Sequence, residues 1–221
     1  MLSVRWYSVN ISVLFEDADI IVCIKPRGVL SQADVQGREN MIDILSQYAG
    51  GEIFPLHRLD REASGVMVFA KNQNAAAALS RDIAENRFKK EYIALVHGVP
   101  EAPVGEMRDF LFRDSRKNKV YVVKGRRKGV REALLEYGVI DTVSINGEVY
   151  TKVKVLLHTG RTHQIRVQFA SRKMPLAGDR KYGVKDAFKS IALWSYTLSF
   201  SHPKNGDRLS FTAEPENLIA L

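Results

Sequence analysis

The chain has 221 residues, which is enough for one sizeable domain and short for two. Its hydrophobic share of 45% and charged share of 26% are ordinary for a globular protein, and no apolar stretch is long enough to span a bilayer. With 33 Lys and Arg against 25 Asp and Glu, the formal charge is +8, which favours a polyanionic partner such as nucleic acid. Charge alone does not decide this, because many basic proteins bind no nucleic acid.

The single cysteine, Cys23, excludes an internal disulfide and lies in an apolar run, so we expect a buried thiol in a reducing compartment. The first ten residues have neither a long apolar core nor a small-residue cleavage site, so they do not resemble a secretory signal. These features predict a cytoplasmic protein without a membrane segment.

In chain order, the first 98 residues predict short strands interrupted by two helices. The alanine-rich second helix, with Asn74 as its cap, is the clearest helix of the chain. The predicted elements are two strands within residues 12–25, a helix over 40–49 ended by Gly50 and Gly51, a strand over 66–70, a helix over 74–88, and a strand in KEYIALVHG.

The run HRLDREASG places Asp60 in a polar turn just before the strand over 66–70. An isolated aspartate in such a turn usually accepts a local hydrogen bond, here from Ser64 or the amide of Gly65. A carboxylate that is buried beside a cation, however, stays ionised and can act as a nucleophile. The turn alone leaves both interpretations open.

Tyr92, in the strand KEYIALVHG, is open to two interpretations as well. A tyrosine in a strand usually fills the core. A tyrosine can also take part in chemistry, because its ring stacks on other flat groups and its hydroxyl can take or give a proton.

The region from residue 101 to 131 changes in character, because nine basic residues crowd its second half against one acid, Asp114. The short strand VYVV inside this region predicts a basic hairpin that protrudes from the body. A solvated charged loop is the alternative. The basic residues are Arg113, Arg116, Lys117, Lys119, Lys124, Arg126, Arg127, Lys128 and Arg131.

The remaining residues are mostly strands, broken by a helix over 162–171 in GRTHQIRVQFA and by the loop PLAGDRKYG. We expect Thr162 to cap this helix and Arg166 to lie near its start, where an isolated arginine usually faces solvent. Many strands, few helices and no alternation of the two predict an α+β fold on a mainly antiparallel mixed sheet with flanking helices. No internal repeat or linker divides the chain.

Several kinds of site lack their sequence signatures. The five histidines show no helical i, i+4 pair and the one cysteine has no neighbour, so no metal site is predicted. GxSxG, GxGxxG and P-loop motifs are absent, and we expect no cofactor.

Taken together and in this order, the strings IKPRGVLS, HRLDREASG, KEYIALVHG, GRTHQIRV and PLAGDRKYG resemble those of the RluA-type RNA pseudouridine synthases, which isomerise uridine in RNA. The resemblance implies a single catalytic domain over residues 1–221, without the S4 domain that many relatives carry. It implies that Asp60 is the catalytic carboxylate, that Arg166 forms an ion pair with it, and that Tyr92 stacks on the flipped base and assists proton removal. Arg58 would then occupy the space that the uridine vacates.

Two positions depart from the family pattern. Ala63 stands where the family usually has threonine, and Trp194 stands where histidine is frequent. The first leaves Asp60 intact but removes a hydroxyl from the turn, and the second leaves the role of that position open.

The expected partner is ribosomal or transfer RNA, and the expected protein is a monomer. Arg58, Arg113, Arg126, Arg127 and Lys128 are the predicted RNA-binding residues. Two rival hypotheses are an RNA-binding factor that has lost catalysis and a hydrolase that releases free base from a nucleoside.

Overall fold

The computed structural model describes residues 2–6, 9–183, 185–215 and 218, with side chains from Ile11 onward. Among these residues there are twelve strands and three helices. They are β1 (Leu2–Trp6), β2 (Val9–Glu16), β3 (Ile20–Lys25), α1 (Met41–Ala49), β4 (Phe54–Pro55), β5 (Ser64–Ala70), α2 (Gln73–Ala84), β6 (Lys89–His97), β7 (Val104–Asp114), β8 (Lys119–Val123), β9 (Val130–Ile145), β10 (Glu148–Leu157), α3 (Gln164–Ser171), β11 (Leu193–Ser201) and β12 (Arg208–Thr212).

The chain divides into two compact units. The first runs to Lys90 and includes Trp194–Pro215, and the second comprises Glu91–Leu193 with the C-terminal residues. No helix in the described residues is long and apolar enough to cross a membrane. The extent of the catalytic domain over residues 1–221 stays a prediction.

The first unit is a mixed sheet with strand order β1-β2-β3-β5-β11, to which β12 adds beside β11 and β4 beside β5. Neighbouring strands run antiparallel, except that β5 and β11 are parallel, with Ser64 and Gly65 opposite Trp194 and Ser195. Every residue of β5 is buried, which explains its unbroken apolar sequence. Gly65 is required here, because a Cβ atom at this position would lie 2.3 Å from the carbonyl oxygen of Ser195.

The helices α1 and α2 begin at asparagine caps. Asn40 accepts a hydrogen bond from the Asp43 amide, and the left-handed Gly50 ends α1 as predicted. The prediction for α2 was wrong at both ends: Asn72 caps it by accepting from the Ala75 amide, and the helix stops at Ala84. The cap is two residues earlier than expected because Asn72 is extended, whereas Asn74 already lies within the first turn of the helix.

The second unit is a sheet with strand order β6-β10-β9-β7-β8, in which β10 pairs with β9, β9 with β7 and β7 with β8 in antiparallel fashion. On the other edge of β6, the Ala177 amide donates to the Leu95 carbonyl and the His97 amide to the Pro175 carbonyl. The helix α3 is joined to β7 by the Gln168 side chain, which donates to the Met107 carbonyl and to the Asp109 carboxylate. The predicted α+β fold on a mainly antiparallel mixed sheet is therefore confirmed.

The predicted cap of α3 was also wrong. The helix begins at Gln164, and its N-cap residue is His163, which has a left-handed φ of 52° and no capping bond from its side chain. Thr162 lies one residue too early to cap this helix. Ile165, Val167 and Phe169 of this helix are buried.

Candidate active site

The Asp60 turn lies in the first unit and is held by its backbone neighbours. Buried Ser31 binds the adjacent residue twice, because its hydroxyl donates to the Leu59 carbonyl at 2.9 Å and accepts from the Leu59 amide at 3.0 Å. Within the turn, the Ala63 amide donates to the Asp60 carbonyl at 3.0 Å. The Asp60 side chain therefore projects from a backbone that is fixed on both sides, ahead of β5.

Lys25 supports the same turn from below, and the sequence offered no role for it beyond the IKPRG string. Its ammonium is buried and donates to the carbonyls of Pro26, Val29 and Arg61 at 2.8, 2.8 and 3.2 Å. Three acceptors match the three protons of a charged ammonium. Burial lowers the pKa of Lys25 to about 7, while the nearby carboxylates of Glu62 and Asp60 oppose that shift. The Lys25 side chain is thus held by the backbone of the Asp60 turn and of the loop after β3.

The approach to the turn is fixed by His57. Its Nε2 accepts a hydrogen bond from the Val68 amide of β5 at 3.3 Å, and its ring packs 5.6 Å from that of Phe88. Burial, and next the positive charge of Lys90, lower the pKa of His57 to about 3. The imidazole is therefore neutral and structural. Arg58, the next residue, is exposed.

The two departures from the family pattern occupy different surroundings. Ala63 is buried at 1% exposure, and its amide closes the Asp60 turn without any hydroxyl. Trp194 donates its indole N–H to the Ala213 carbonyl at 2.7 Å, which ties β11 to the segment after β12.

Tyr92 and Arg166 lie in the second unit. Tyr92 is 5% exposed on β6, where five consecutive residues from Tyr92 to Val96 are buried. Arg166 is 8% exposed on α3 and forms a two-pronged ion pair with the fully buried carboxylate of Asp179: Nε lies 2.7 Å from Oδ2 and Nη2 lies 2.8 Å from Oδ1. Such a pair fixes the plane of the guanidinium.

Two residues of this arrangement, Asp179 and Tyr182, were missed by the sequence reasoning. Both lie in the string PLAGDRKYG, which carried the resemblance but was given no role. The Tyr182 ring lies under the Arg166 guanidinium at 5.2 Å, and its hydroxyl accepts from the Val120 amide of β8 at 2.9 Å. The same hydroxyl is 2.8 Å from Nδ1 of His163. Tyr182 thus joins α3 to the edge of the sheet.

Two residues that precede Arg166 bind backbone carbonyls of β9. Arg161 donates to the Glu132 carbonyl at 2.9 Å, and the Gln164 amide group donates to the Leu134 carbonyl at 3.1 Å. Since Asp60 and Arg166 belong to different units, their ion pair stays a prediction, as do the catalytic roles of Asp60, Tyr92 and Arg166.

The basic residues predicted to bind RNA lie on and beyond a hairpin. Arg113 is on β7, and Arg126, Arg127 and Lys128 are exposed in the connection from β8 to β9. Arg126 is bound at 3.0 Å by Glu132. The strands β7 and β8 pair over Phe110–Asp114 and Lys119–Val123, whereas the protrusion of this hairpin and its binding of RNA stay predictions.

One group in the described residues has the composition of a metal site. Ligand atoms of Asp17, Asp19 and His202 lie within 4.8 Å of one another. Each already has a protein partner: His202 Nε2 is 2.7 Å from Asp17 Oδ2, and Asp19 accepts from the Asn72 side chain at 2.8 Å. All three side chains are therefore already bound within the protein, and the absence of a metal or cofactor stays a prediction.

Comparison with known proteins identifies the class. Residues 19–171 match the family model described as RNA pseudouridylate synthase. The chain belongs to this family, as its resemblance to the RluA-type enzymes predicted, and it is an isomerase that modifies RNA.

Relatives and solved structures agree with this assignment. An uncharacterized RNA pseudouridine synthase of Aquifex aeolicus is 37% identical, with the match covering 100% of this chain and 74% of the relative. The ribosomal large subunit pseudouridine synthase C of Buchnera aphidicola is 33% identical over 92% of this chain and 67% of its own. The structure of human RNA pseudouridylate synthase domain containing 1 has the same fold, with a TM-score of 0.77 at 24% identity, over 93% of this chain and 84% of that one.

Proposed function

We propose that the protein isomerises particular uridines of ribosomal RNA, or of transfer RNA, with Asp60 as the nucleophile. The observation that carries the proposal is the family match over residues 19–171, which includes Asp60, Tyr92 and Arg166 in the family's order. The relatives named as ribosomal large subunit enzymes favour ribosomal RNA. We further propose that the enzyme acts as a monomer in the cytoplasm.

In the reaction, a uridine leaves its stack and Arg58 takes its place. The Asp60 carboxylate then attacks either the ribose or the uracil ring. The bond from N1 to C1′ breaks, the uracil turns, and C5 bonds to C1′. The bond that Asp60 formed to the ribose or the ring breaks in the same sequence, so the free carboxylate is regenerated. C5 loses its proton to solvent and N1 gains one, so the mass is unchanged.

The neighbouring residues each contribute one function to this scheme. The fixed backbone around Leu59 and the buried ammonium of Lys25 support the turn from which Asp60 projects. Arg166, aligned by Asp179, would keep the Asp60 carboxylate ionised. Tyr92 would stack on the base and assist in removing the C5 proton.

The test is the release of tritium from RNA labelled at uracil C5, with ribosomal and transfer RNA transcripts offered separately. We expect release by the wild type and a loss of at least about a thousandfold in Asp60→Asn, because the amide cannot act as the nucleophile. The affinity of Asp60→Asn for RNA should change little. Asp34→Asn, in an exposed loop of the same unit, is the matched control and should keep full activity.

Three outcomes would contradict the proposal. Comparable turnover by Asp60→Asn would remove the nucleophile assignment. Release of free uracil would indicate a hydrolase. A third outcome is tight binding of both RNA pools without tritium release. If partly assembled ribosomal particles, offered as a further substrate, also give no release, the protein is a binding factor.

A further inference from the structure

The strand β7 presents two different faces. Its inward residues Met107 and Leu111 are buried, and between them Asp109 binds the side chains of Gln168 on α3 and of Arg172 just after it. Side chains alternate along a strand, so Phe110 and Phe112 lie on the opposite face, where both are only partly buried. In this unit, two aromatic rings therefore stand on the face that α3 leaves uncovered.

A third ring extends this pair. Tyr121 of β8 lies directly opposite Phe112 in the register, and residues that face each other across antiparallel strands share one face of the sheet. The Tyr121 side chain is on the outer face, because its neighbours Val120 and Val122 pack with Leu111 on the inner one. Tyr121 is 36% exposed, with the Lys119 ammonium 5.9 Å from the centre of its ring, so part of the side chain is accessible from solvent.

Two arginines from the connection between β8 and β9 lie over these rings. The guanidinium of Arg126 is 5.5 Å from the centre of the Phe110 ring, and that of Arg127 is 5.3 Å from the centre of the Phe112 ring. Glu132 binds Arg126 at 3.0 Å and is itself held by Arg108 at 2.7 Å, so the position of the Arg126 guanidinium is fixed. Even so, the Arg126 side chain is 78% exposed.

We propose that this surface, formed by Phe110, Phe112, Tyr121, Arg126 and Arg127 and named here the stacking face, binds unpaired bases of the RNA substrate. The ring of Tyr121 and the planes of the two guanidinium groups are surfaces on which bases stack. The surrounding segment supplies nine cations against one acid for the phosphates. A continuous duplex offers no free base faces, so the partner is a loop, bulge or single-stranded segment.

This inference rests on the proposed function only in taking RNA as the partner. It differs from the expectation that Arg126, Arg127 and Lys128 simply neutralise phosphates. Phosphate contacts depend on charge, which lysine supplies as well as arginine, whereas stacking depends on a planar group. Substitutions that keep charge and remove planarity therefore separate the two.

The experiment measures the affinity of the full chain for a labelled single-stranded RNA of about twelve nucleotides and for a blunt duplex of the same length, at several salt concentrations. For Tyr121→Leu, and for the double variant Arg126→Lys with Arg127→Lys, we expect affinity for the single strand to fall by about fivefold to a hundredfold. Affinity for the duplex should change by less than about twofold, and the salt slope should stay that of the wild type.

Two variants serve as controls. Tyr121→Phe keeps the ring and should bind as the wild type does. Arg81→Lys makes the same chemical change at an exposed position of α2 and should also have no effect.

Equal losses for single strand and duplex, or no loss for either, would overturn the stacking face and leave a role in charge alone. Tritium release by the wild-type protein, measured on the same preparations, tests the proposed function separately. Failure of that release leaves the binding comparison to be judged by itself.

Discussion

His57 illustrates how a single residue near the proposed nucleophile is committed to structure. Its Nε2 accepts from the Val68 amide, which is possible only when that nitrogen carries no proton. Its Nδ1 is buried and finds no hydrogen-bond partner among the described residues. A second proton on this ring would lose the bond to β5 and add a charge where burial and Lys90 disfavour one. The chain leading to Asp60 is therefore held by the neutral form.

This predicts acid sensitivity with a definite sign. The pKa of His57 is about 3 in the folded protein and about 6.5 when unfolded, so between these values only the unfolded state binds the proton. The stabilising contribution is complete above pH 6.5 and is lost as the pH falls towards 3. We expect His57 to remove about 2 kcal/mol of unfolding free energy between pH 7 and pH 5.

Urea unfolding of the wild type and His57→Gln at pH 7, 6 and 5 measures this contribution, since the glutamine variant should lose correspondingly less. The same substitution at exposed His158 is the control and should retain the steep dependence of the wild type. Parallel curves for wild type and His57→Gln would show that this imidazole titrates alike in both states.

At the scale of elements, α3 and β8 are joined through Tyr182. The helix places Arg166, the loop after it supplies Asp179, and the Tyr182 hydroxyl accepts from Val120, whose amide faces away from β7. An edge strand normally leaves such amides to solvent or to another strand. Here the loop after α3 satisfies one of them, and the same ring packs against the guanidinium of Arg166.

Tyr182→Phe should therefore loosen this junction while the ring and the ion pair of Arg166 with Asp179 remain. Loss of the hydroxyl leaves the Val120 amide without its partner, and we expect a loss of about 1–2 kcal/mol in unfolding free energy. Faster hydrogen exchange at the Val120 amide is the local readout. The control is Tyr121→Phe, which removes the hydroxyl of the residue next to Val120, on the other face of β8. If both variants give the same stability and the same exchange rate at the Val120 amide, the Tyr182 hydroxyl does not link α3 to β8.

At the scale of the whole molecule, the charge of +8 is concentrated rather than uniform. The segment from Arg113 to Arg131 has nine basic residues and one acid, an excess equal to the net charge of the entire chain. A concentration of cations of this kind makes the affinity for RNA fall with salt, because each neutralised phosphate releases a counterion. The exposed connection between β8 and β9 is the part of this segment with the highest density of charge.

Replacement of Arg126, Arg127 and Lys128 by alanine should weaken RNA binding and lower the slope of log affinity against log salt by about 2. The control removes three charges elsewhere, at exposed Arg81, Lys89 and Lys204 of the first unit. Filter binding at salt concentrations of about 50 to 200 mM, where such slopes are linear, measures the slope for both triple variants. An unchanged slope in the variant that lacks Arg126, Arg127 and Lys128 would show that this connection is a solvated loop that does not contact phosphates.

The sequence by itself determined the family, the α+β class, and the existence and approximate limits of α1, α2, α3 and most strands. The helices and strands follow from the spacing of apolar residues and from turn residues such as those before β5. The family follows from sequence strings that occur in a specific order. The string around Asp60 is local in the same sense, so the residue types along the chain are sufficient to name the proposed nucleophile.

Only the tertiary structure decided the contacts made between distant residues and the exact helix starts. Asn72 rather than Asn74 caps α2 because the cap depends on which residue is extended, and spacing alone does not reveal that. The partner of Arg166 within its unit, Asp179, comes from a loop thirteen residues away, and the link through Tyr182 reaches back 62 residues to Val120. The stacking of Arg126 and Arg127 on Phe110 and Phe112 likewise depends on strand register, which places residues far apart in sequence on one face.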